Sequence, residues 1–134
     1  MSATSVEDLF QEIGREAMAA AGDDRAGKLL VYAEVERGGA EADVAYVNRR
    51  GDVQVVLGPG SLVDAVSALW RGWKEQQGKE QWRAMSYLVD EHGEFTMKLT
   101  YSDDFDEDED DRRARAVENY FGKGKRVIYP RLSA

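Results

Sequence analysis

The residues best suited to chemistry form one acidic segment, residues 103–111. Eight of its nine positions carry a carboxylate, namely Asp103, Asp104, Asp106, Glu107, Asp108, Glu109, Asp110 and Asp111. Carboxylate oxygens are the ligands of Ca²⁺, and an EF-hand loop also needs a glycine at its sixth position and a glutamate at its twelfth. Registers that begin at Asp104 or Asp106 have neither residue. The segment therefore predicts no dedicated metal site.

Two interpretations of the acidic segment stay open. In the first it begins a helix, because acids stabilise the positive end of the helix dipole. Asp108, Glu109 and Asp111 then have arginines four residues later, a spacing worth about 0.2–0.5 kcal/mol per pair. In the second it is a surface that faces a partner, because the other five acids have no such arginine and neighbouring carboxylates repel one another. The two interpretations are compatible.

The net charge of the chain lies entirely in this segment. The 134 residues include 26 acids and 18 bases, for a net charge of −8, and without the eight segment carboxylates the two signs balance. A negatively charged domain repels phosphate backbones and anionic membranes. The charge therefore predicts no direct binding to nucleic acid or membrane, and it favours a basic protein as the partner.

The rest of the sequence offers little material for catalysis. His92 is the one histidine, beside Gly93 in a predicted turn, and there is no cysteine. A nucleophilic triad needs a base and a residue that orients it. The stretch Gly58-Pro59-Gly60 lacks the lysine of a phosphate-binding loop. We therefore expect a binding protein with no catalytic residues, no metal and no cofactor.

The three tryptophans are candidates for core or interface positions. Trp70 and Trp73 are three residues apart on a predicted helix, so they share a face and are expected in the core. Trp82 precedes a predicted strand, where it either closes the sheet edge or stays partly exposed. Exposed tryptophans are favoured interface anchors, so Trp82 joins the acidic segment as a candidate partner-binding residue.

Hydrophobic periodicity places these residues in a single domain, 1–134, of the α+β class. The predicted order is α-β-β-β-α-β-β-α, and short turns favour an antiparallel sheet of about five strands with helices packed on one face. The helices are predicted at 5–21, 61–78 and 107–121, and the strands at 29–36, 42–46, 53–57, 83–90 and 94–101. In the last helix Ala114, Val117, Tyr120 and Phe121 are expected to face inward. The tail at 127–130 is either an extra edge strand or a frayed end.

Capping residues mark the ends of two of these helices. Ser5 with Asp8, and Ser61 with Asp64, resemble the start of a capping box. Gly22 is typical of a helix stop. The first two helices should therefore begin and end close to these positions.

The sequence gives no indication of export or membrane insertion. No apolar run approaches the ~20 residues that span a bilayer, and the first five residues lack the basic and apolar regions of a signal peptide. We expect a cytoplasmic protein that is a monomer or a homodimer.

The order and spacing of several short motifs resemble the YezG-like family of bacterial antitoxin and immunity proteins. The motifs are Val31-Tyr32-Ala33-Glu34-Val35, Trp82, Gly93-Glu94-Phe95 running to Tyr101, the acidic stretch, Asp111-Arg112-Arg113 and Tyr120-Phe121-Gly122. One position departs from the family, whose members commonly carry a tryptophan in the last helix where this chain has Ala116. The resemblance implies a non-catalytic protein that binds and neutralises a cognate toxin, often a nuclease domain.

A second class of function fits the same element order. Small acidic secretion chaperones, which bind unfolded segments of effectors, are similar in size, in predicted topology and in their low isoelectric point, here about 4.7. A chaperone binds an extended effector peptide, whereas an immunity protein binds a folded toxin domain and blocks its activity. The nature of the bound partner therefore separates the two.

Overall fold

The computed structural model describes residues 5–36, 39–77, 82–101 and 109–130. Within these ranges the chain forms three α-helices, a short 3₁₀ turn and six strands. In chain order these are α1 (Val6–Ala21), the 3₁₀ turn (Gly22–Asp24), β1 (Arg25–Glu36), β2 (Gly39–Asn48), β3 (Val53–Leu57), α2 (Gly60–Gln77), β4 (Ala84–Val89), β5 (Phe95–Thr100), α3 (Glu109–Phe121) and β6 (Val127–Ile128). None of the described helices is both long and apolar enough to cross a bilayer. The α+β class is confirmed.

The strands form one mixed sheet in the order β5-β4-β1-β2-β3-β6. Neighbours are antiparallel except β6, which pairs in parallel with β3 through Val53–Val127 and Gln54–Ile128. The prediction of about five antiparallel strands therefore holds for the five strands from β1 to β5. Of the two alternatives for the tail, the edge strand is the one observed, as β6, and its parallel direction was not predicted.

The helices pack on both faces of the sheet, so the expectation that they cover one face is wrong. The α1 and α2 helices share a core with the β1 side chains Leu29 and Val31, whereas α3 packs on the opposite face with Leu30 and Tyr32. All five residues from 29 to 33 are buried. A continuous apolar run of this kind is typical of a strand covered on both faces.

A side-chain bond at Ser5 and a backbone bond at Gly22 set the two ends of the first helix, as predicted. The Ser5 Oγ accepts a hydrogen bond from the Asp8 N–H at 3.1 Å. Gly22 ends the helix with φ 62°, and its N–H donates to the Met18 carbonyl. A positive φ costs glycine little because it has no Cβ. The second helix begins at Gly60, one residue before Ser61, whose hydroxyl donates to Glu16.

The inward face of the third helix needs one correction. Val117 and Phe121 are buried and Tyr120 is half-buried, as expected. Ala114 is exposed, whereas Ala116 packs against the core beneath the helix. Positions 112, 116, 117, 120 and 121 thus form the sheet-facing stripe.

Candidate functional site

Two arginines hold the start of α3 on the sheet. Arg112 donates from Nε to one oxygen of Glu34 at 2.8 Å and from a terminal nitrogen to the other at 2.7 Å. The next residue, Arg113, donates to Asp43 at 2.5 Å. The pairing of Arg112 with both oxygens of Glu34 is the strongest geometry between an arginine and a carboxylate. The first turns of α3 are therefore fixed to both β1 and β2.

Tyr32 belongs to the same network. Its hydroxyl donates to Glu34 at 2.7 Å. Burial raises the pKa of the Tyr32 hydroxyl, and the Glu34 carboxylate raises it further. The hydrogen bond to Glu34 also raises the pKa of the Arg112 guanidinium. Tyr32 thus stays protonated and Arg112 stays charged, as both hydrogen bonds require.

One end of the sheet collects carboxylates. Glu34 lies opposite Glu41 in the β1–β2 register, and Asp43 lies opposite Tyr32, so all of these side chains share the α3 face. Glu36 completes the group, and Arg83 approaches it at 3.3 Å. We call the end of the sheet that carries these four acids the acidic end. A shallow pocket of about 280 Å³ there is lined by Glu34, Glu36, Gly39, Ala40 and Glu41.

The acidic segment joins the fold at this acidic end. Thr100, the last residue of β5, lies opposite Ala84, which itself lies opposite Glu34. The α3 helix also starts here, because Arg112 contacts Glu34, and it runs to the other end, where the Tyr120 hydroxyl donates to the Val89 carbonyl. Both attachment points of the segment therefore lie beside the sheet carboxylates.

The structure describes only part of the segment itself. Asp103, Asp104, Asp106, Glu107 and Asp108 lie outside the described residues. Glu109 and Asp110 are the first residues of α3, and Asp111 in the same turn is exposed. The helix-start interpretation therefore applies to these last three acids. The partner-facing interpretation of the segment stays a prediction.

Trp82 is not at the surface. Its side chain is 0% exposed and belongs to the core between the sheet and the α1 and α2 helices. The indole N–H of Trp70 donates to the backbone carbonyl of Trp82 at 2.6 Å, which connects the start of β4 to α2. The alternative in which Trp82 stays partly exposed is wrong, and its indole is not an accessible anchor.

An exposed leucine at the acidic end was missed by the sequence analysis. Leu57, the last residue of β3, is 60% exposed and lies opposite Asp43. Phe95 is also exposed, at 47%, but it lies opposite Val89 at the other end of the sheet, where it stacks on Tyr87 at 5.1 Å. The only signal for Leu57 in the sequence is an apolar residue directly before Gly58-Pro59-Gly60.

His92 lies in an exposed turn, as predicted. The Asp90 carboxylate accepts from the backbone N–H groups of His92 at 2.8 Å and Glu94 at 3.0 Å, which shapes the turn between β4 and β5. Among the described residues, no cluster of three or more histidine, aspartate or glutamate side chains could hold a metal ion. The described part of the chain thus offers its acidic end as the candidate site, as a surface for a partner rather than as a metal centre.

Comparison with known proteins adds no assignment. No known family matches this chain, and no curated protein is significantly similar to it.

Proposed function

We propose that this protein is a non-catalytic immunity or antitoxin protein that binds and neutralises a cognate toxin domain through its acidic end. The observation that supports the proposal is where the acidic segment is attached, because both attachment points lie at the end of the sheet that carries Glu34, Glu36 and Glu41. The segment that carries the excess negative charge therefore leaves and rejoins the described fold at one end. The partner that this charge favours is a basic domain, such as a nuclease that grips phosphates.

On this proposal, the protein inhibits the toxin stoichiometrically, because its carboxylates occupy the cations that would hold the substrate. A nuclease holds its substrate in a cleft of arginines and lysines, and a dense group of carboxylates competes for the same cations. Complementary charge accelerates association and orients the two surfaces, and salt screens the effect. Leu57 supplies an apolar contact at the same end, since buried side chains rather than rim charges carry most interface energy.

The test needs a cognate toxin domain, and the reading frames that neighbour this protein's gene are where a candidate is sought. Association is measured by stopped flow at several salt concentrations, with loss of nuclease activity as the second readout. In the test variant Asp103, Asp104, Asp106 and Glu107 become amides. In the control variant Asp52, Glu91, Glu94 and Glu118 become amides, which removes the same charge from the other end of the molecule.

We expect the test variant to associate about tenfold more slowly at low salt, with a weaker salt dependence, because it has lost local steering charge. The control should keep most of the wild-type rate. Equal losses in both variants would show that only total charge matters and would contradict a role for the acidic end. Failure of an equimolar amount of protein to block the toxin would contradict the immunity function itself.

A secretion chaperone is the second candidate, and one observation favours it. Within the described chain β5 pairs on one side only, with β4, so its other edge is open to an added strand. An extended effector peptide binds to such an edge by strand addition. Binding to an extended effector peptide, without binding to a folded toxin, would favour this second function.

A further inference from the structure

A groove on the α3 face has basic side chains among its described lining residues, although the net charge of the protein is negative. It encloses about 320 Å³ between α3 and the strands β4 and β5. The helix rests over β1, so the β4–β5 part of the same sheet face is left uncovered. Its floor contains the cross-strand row Tyr32–Ser86–Lys98, and the row Glu34–Ala84–Thr100 marks its end beside α3's first turns.

One stripe of α3 forms the other wall. Arg112, Arg115, Ala116, Asn119 and Tyr120 line the groove at the i, i+3, i+4, i+7 and i+8 positions of one helix face. The two alanines of the lining, Ala84 and Ala116, leave the space open because their side chains are short. The Tyr120 ring is fixed at the far end by the hydrogen bond from its hydroxyl to the Val89 carbonyl at 2.7 Å.

The charged side chains among the described residues that line this groove are all basic. Lys98 stands on the sheet wall and Arg115 on the helix wall, while Arg112 closes the end beside Glu34. No carboxylate side chain is among its described lining residues. Lys98 is exposed and forms no ion pair within the described ranges. Ser86, Thr100 and Asn119 add neutral hydrogen-bond donors.

The shape of the groove limits the ligand. From Ala84 to Leu88 the strand extends about 13 Å, four steps of ~3.3 Å. A volume of about 320 Å³ suits a small molecule rather than a macromolecule. A long polyanion would also meet the repulsion of the surrounding acidic surface. The end near Leu88 and Tyr120 presents an aliphatic side chain and an aromatic ring, which suits a ligand that has a ring as well as an anionic head.

We propose that this groove binds a small organic phosphate, with the phosphate between Lys98 and Arg115 and an apolar ring against Leu88 and Tyr120. Donors come from both walls, and the three terminal oxygens of a phosphate monoester can accept from both walls at once, whereas a carboxylate has only two. Charge-assisted bonds from lysine and arginine are the strong bonds of phosphate recognition. This site is independent of the proposed toxin binding.

The probe is adenosine monophosphate, compared with adenosine and with inorganic phosphate. Binding to the full chain is measured by calorimetry and by backbone amide shifts in nuclear magnetic resonance spectra. The variants are Lys98→Gln, Arg115→Gln and Ala116→Trp, which remove each cation or fill the groove. Lys125→Gln is the matched control, because Lys125 is an exposed cation outside the groove.

We expect shifts confined to the groove, in the rows of Ser86, Thr100 and Leu88 and along the α3 face from Arg112 to Tyr120. Loss of either cation should weaken binding about tenfold, the usual effect of deleting one charge-assisted bond. Adenosine and inorganic phosphate should each bind at least about tenfold more weakly than the nucleotide. Lys125→Gln should bind like the wild type, and the Lys98→Gln amide spectrum should show an intact fold.

Three results would overturn the site. They are absence of nucleotide binding at millimolar concentration, equal binding of adenosine and its monophosphate, and equal weakening by Lys125→Gln and Lys98→Gln. None of them depends on the toxin experiment, so the two proposals fail separately.

Discussion

At the scale of single residues, Arg112 and Glu34 connect the acidic segment to the centre of the sheet. Their side chains are only 17% and 10% exposed, and each Glu34 oxygen accepts from the guanidinium. A partly buried carboxylate that loses such a partner keeps its desolvation cost without the compensating attraction. The pair therefore matters more for stability than an ion pair on an open surface does.

Replacing Arg112 with glutamine should lower the free energy of unfolding by about 2–3 kcal/mol, because Glu34 is left buried without its charged partner. Urea denaturation measures the change. The control is Arg15→Gln, which breaks the exposed Arg15–Glu12 pair and should cost less than about 0.5 kcal/mol. Similar losses in the two variants would contradict the importance of the Arg112–Glu34 contact. A cycle with Glu34→Gln isolates their coupling.

The tyrosines predict how stability depends on alkaline pH. Burial raises the pKa of the Tyr32, Tyr46, Tyr87 and Tyr120 hydroxyls. Folding then favours the protonated hydroxyls. Their contribution to the free energy of unfolding is complete below the unfolded pKa of about 10, and it is lost as the pH rises through the higher pKa values of the folded state. The free energy of unfolding should fall steadily above pH ~10.

The Tyr32→Phe variant tests this assignment. It removes one of the raised hydroxyls, so its free energy of unfolding should decline less steeply above pH ~10 than that of the wild type. The comparison variant is Tyr129→Phe, which changes an exposed tyrosine. A Tyr32→Phe profile parallel to the wild-type profile would contradict the role of Tyr32.

At the scale of elements, local patterns predicted most of the fold and none of its long-range pairs. The strands β4 and β5 and the Ser5 cap depend on local patterns, and the structure confirms them. The sequence analysis assigned Arg112 and Arg113 to carboxylates one helical turn away. It could not identify Glu34 and Asp43, 78 and 70 positions distant, because local spacing carries no information about which strand a helix covers.

The placement of α3 also shows why the one-face expectation failed. By alternation alone, the charged even positions Glu34 and Glu36 favour a half-buried β1 whose polar side faces solvent. Glu34 instead pairs with Arg112 beneath α3, and Leu30 and Tyr32 on the same side are buried. A charged residue inside an apolar run can therefore mark a covered face when the covering helix supplies the opposite charge.

Gly58, between β3 and α2, is the element boundary most sensitive to substitution. A Cβ there would overlap the Ala42 carbonyl oxygen, which accepts from the Gly58 N–H at 2.9 Å. Gly58→Ala should therefore cost about 1–3 kcal/mol of stability through displaced backbone. Gly60→Ala meets open space and is the control, expected to be neutral or slightly stabilising. Thermal and urea unfolding compare them, and equal stability would contradict the close approach.

At the scale of the whole molecule, exposed apolar side chains lie at both ends of the sheet. Leu57 lies beside the acidic end, whereas Phe95 lies on the opposite face at the far end. The proposed toxin interface therefore predicts different roles for two similarly exposed apolar side chains. The sequence alone could not make this distinction, since exposure at a strand end depends on what packs beside it.

Leu57→Ala should weaken toxin binding about tenfold or more, as expected for an anchor near the centre of an interface, while leaving stability almost unchanged because the side chain is exposed. Phe95→Ala, at the far end, should keep the wild-type affinity. Surface plasmon resonance measures both dissociation constants. A loss of affinity in Phe95→Ala without a loss in Leu57→Ala would contradict a toxin interface at the acidic end.

The distance along the chain between Glu34 and Arg112 has a consequence for folding kinetics. Contacts between residues far apart in sequence stabilise the fold only after a long loop has closed, and the entropy cost of that closure slows folding. The hairpin of β1 and β2 can form early, but it then holds Tyr32 and Glu34 without the helix that covers them. After dilution from denaturant, we expect the fluorescence of the core tryptophans and the helical circular dichroism to recover together, in the step that brings α3 onto β1.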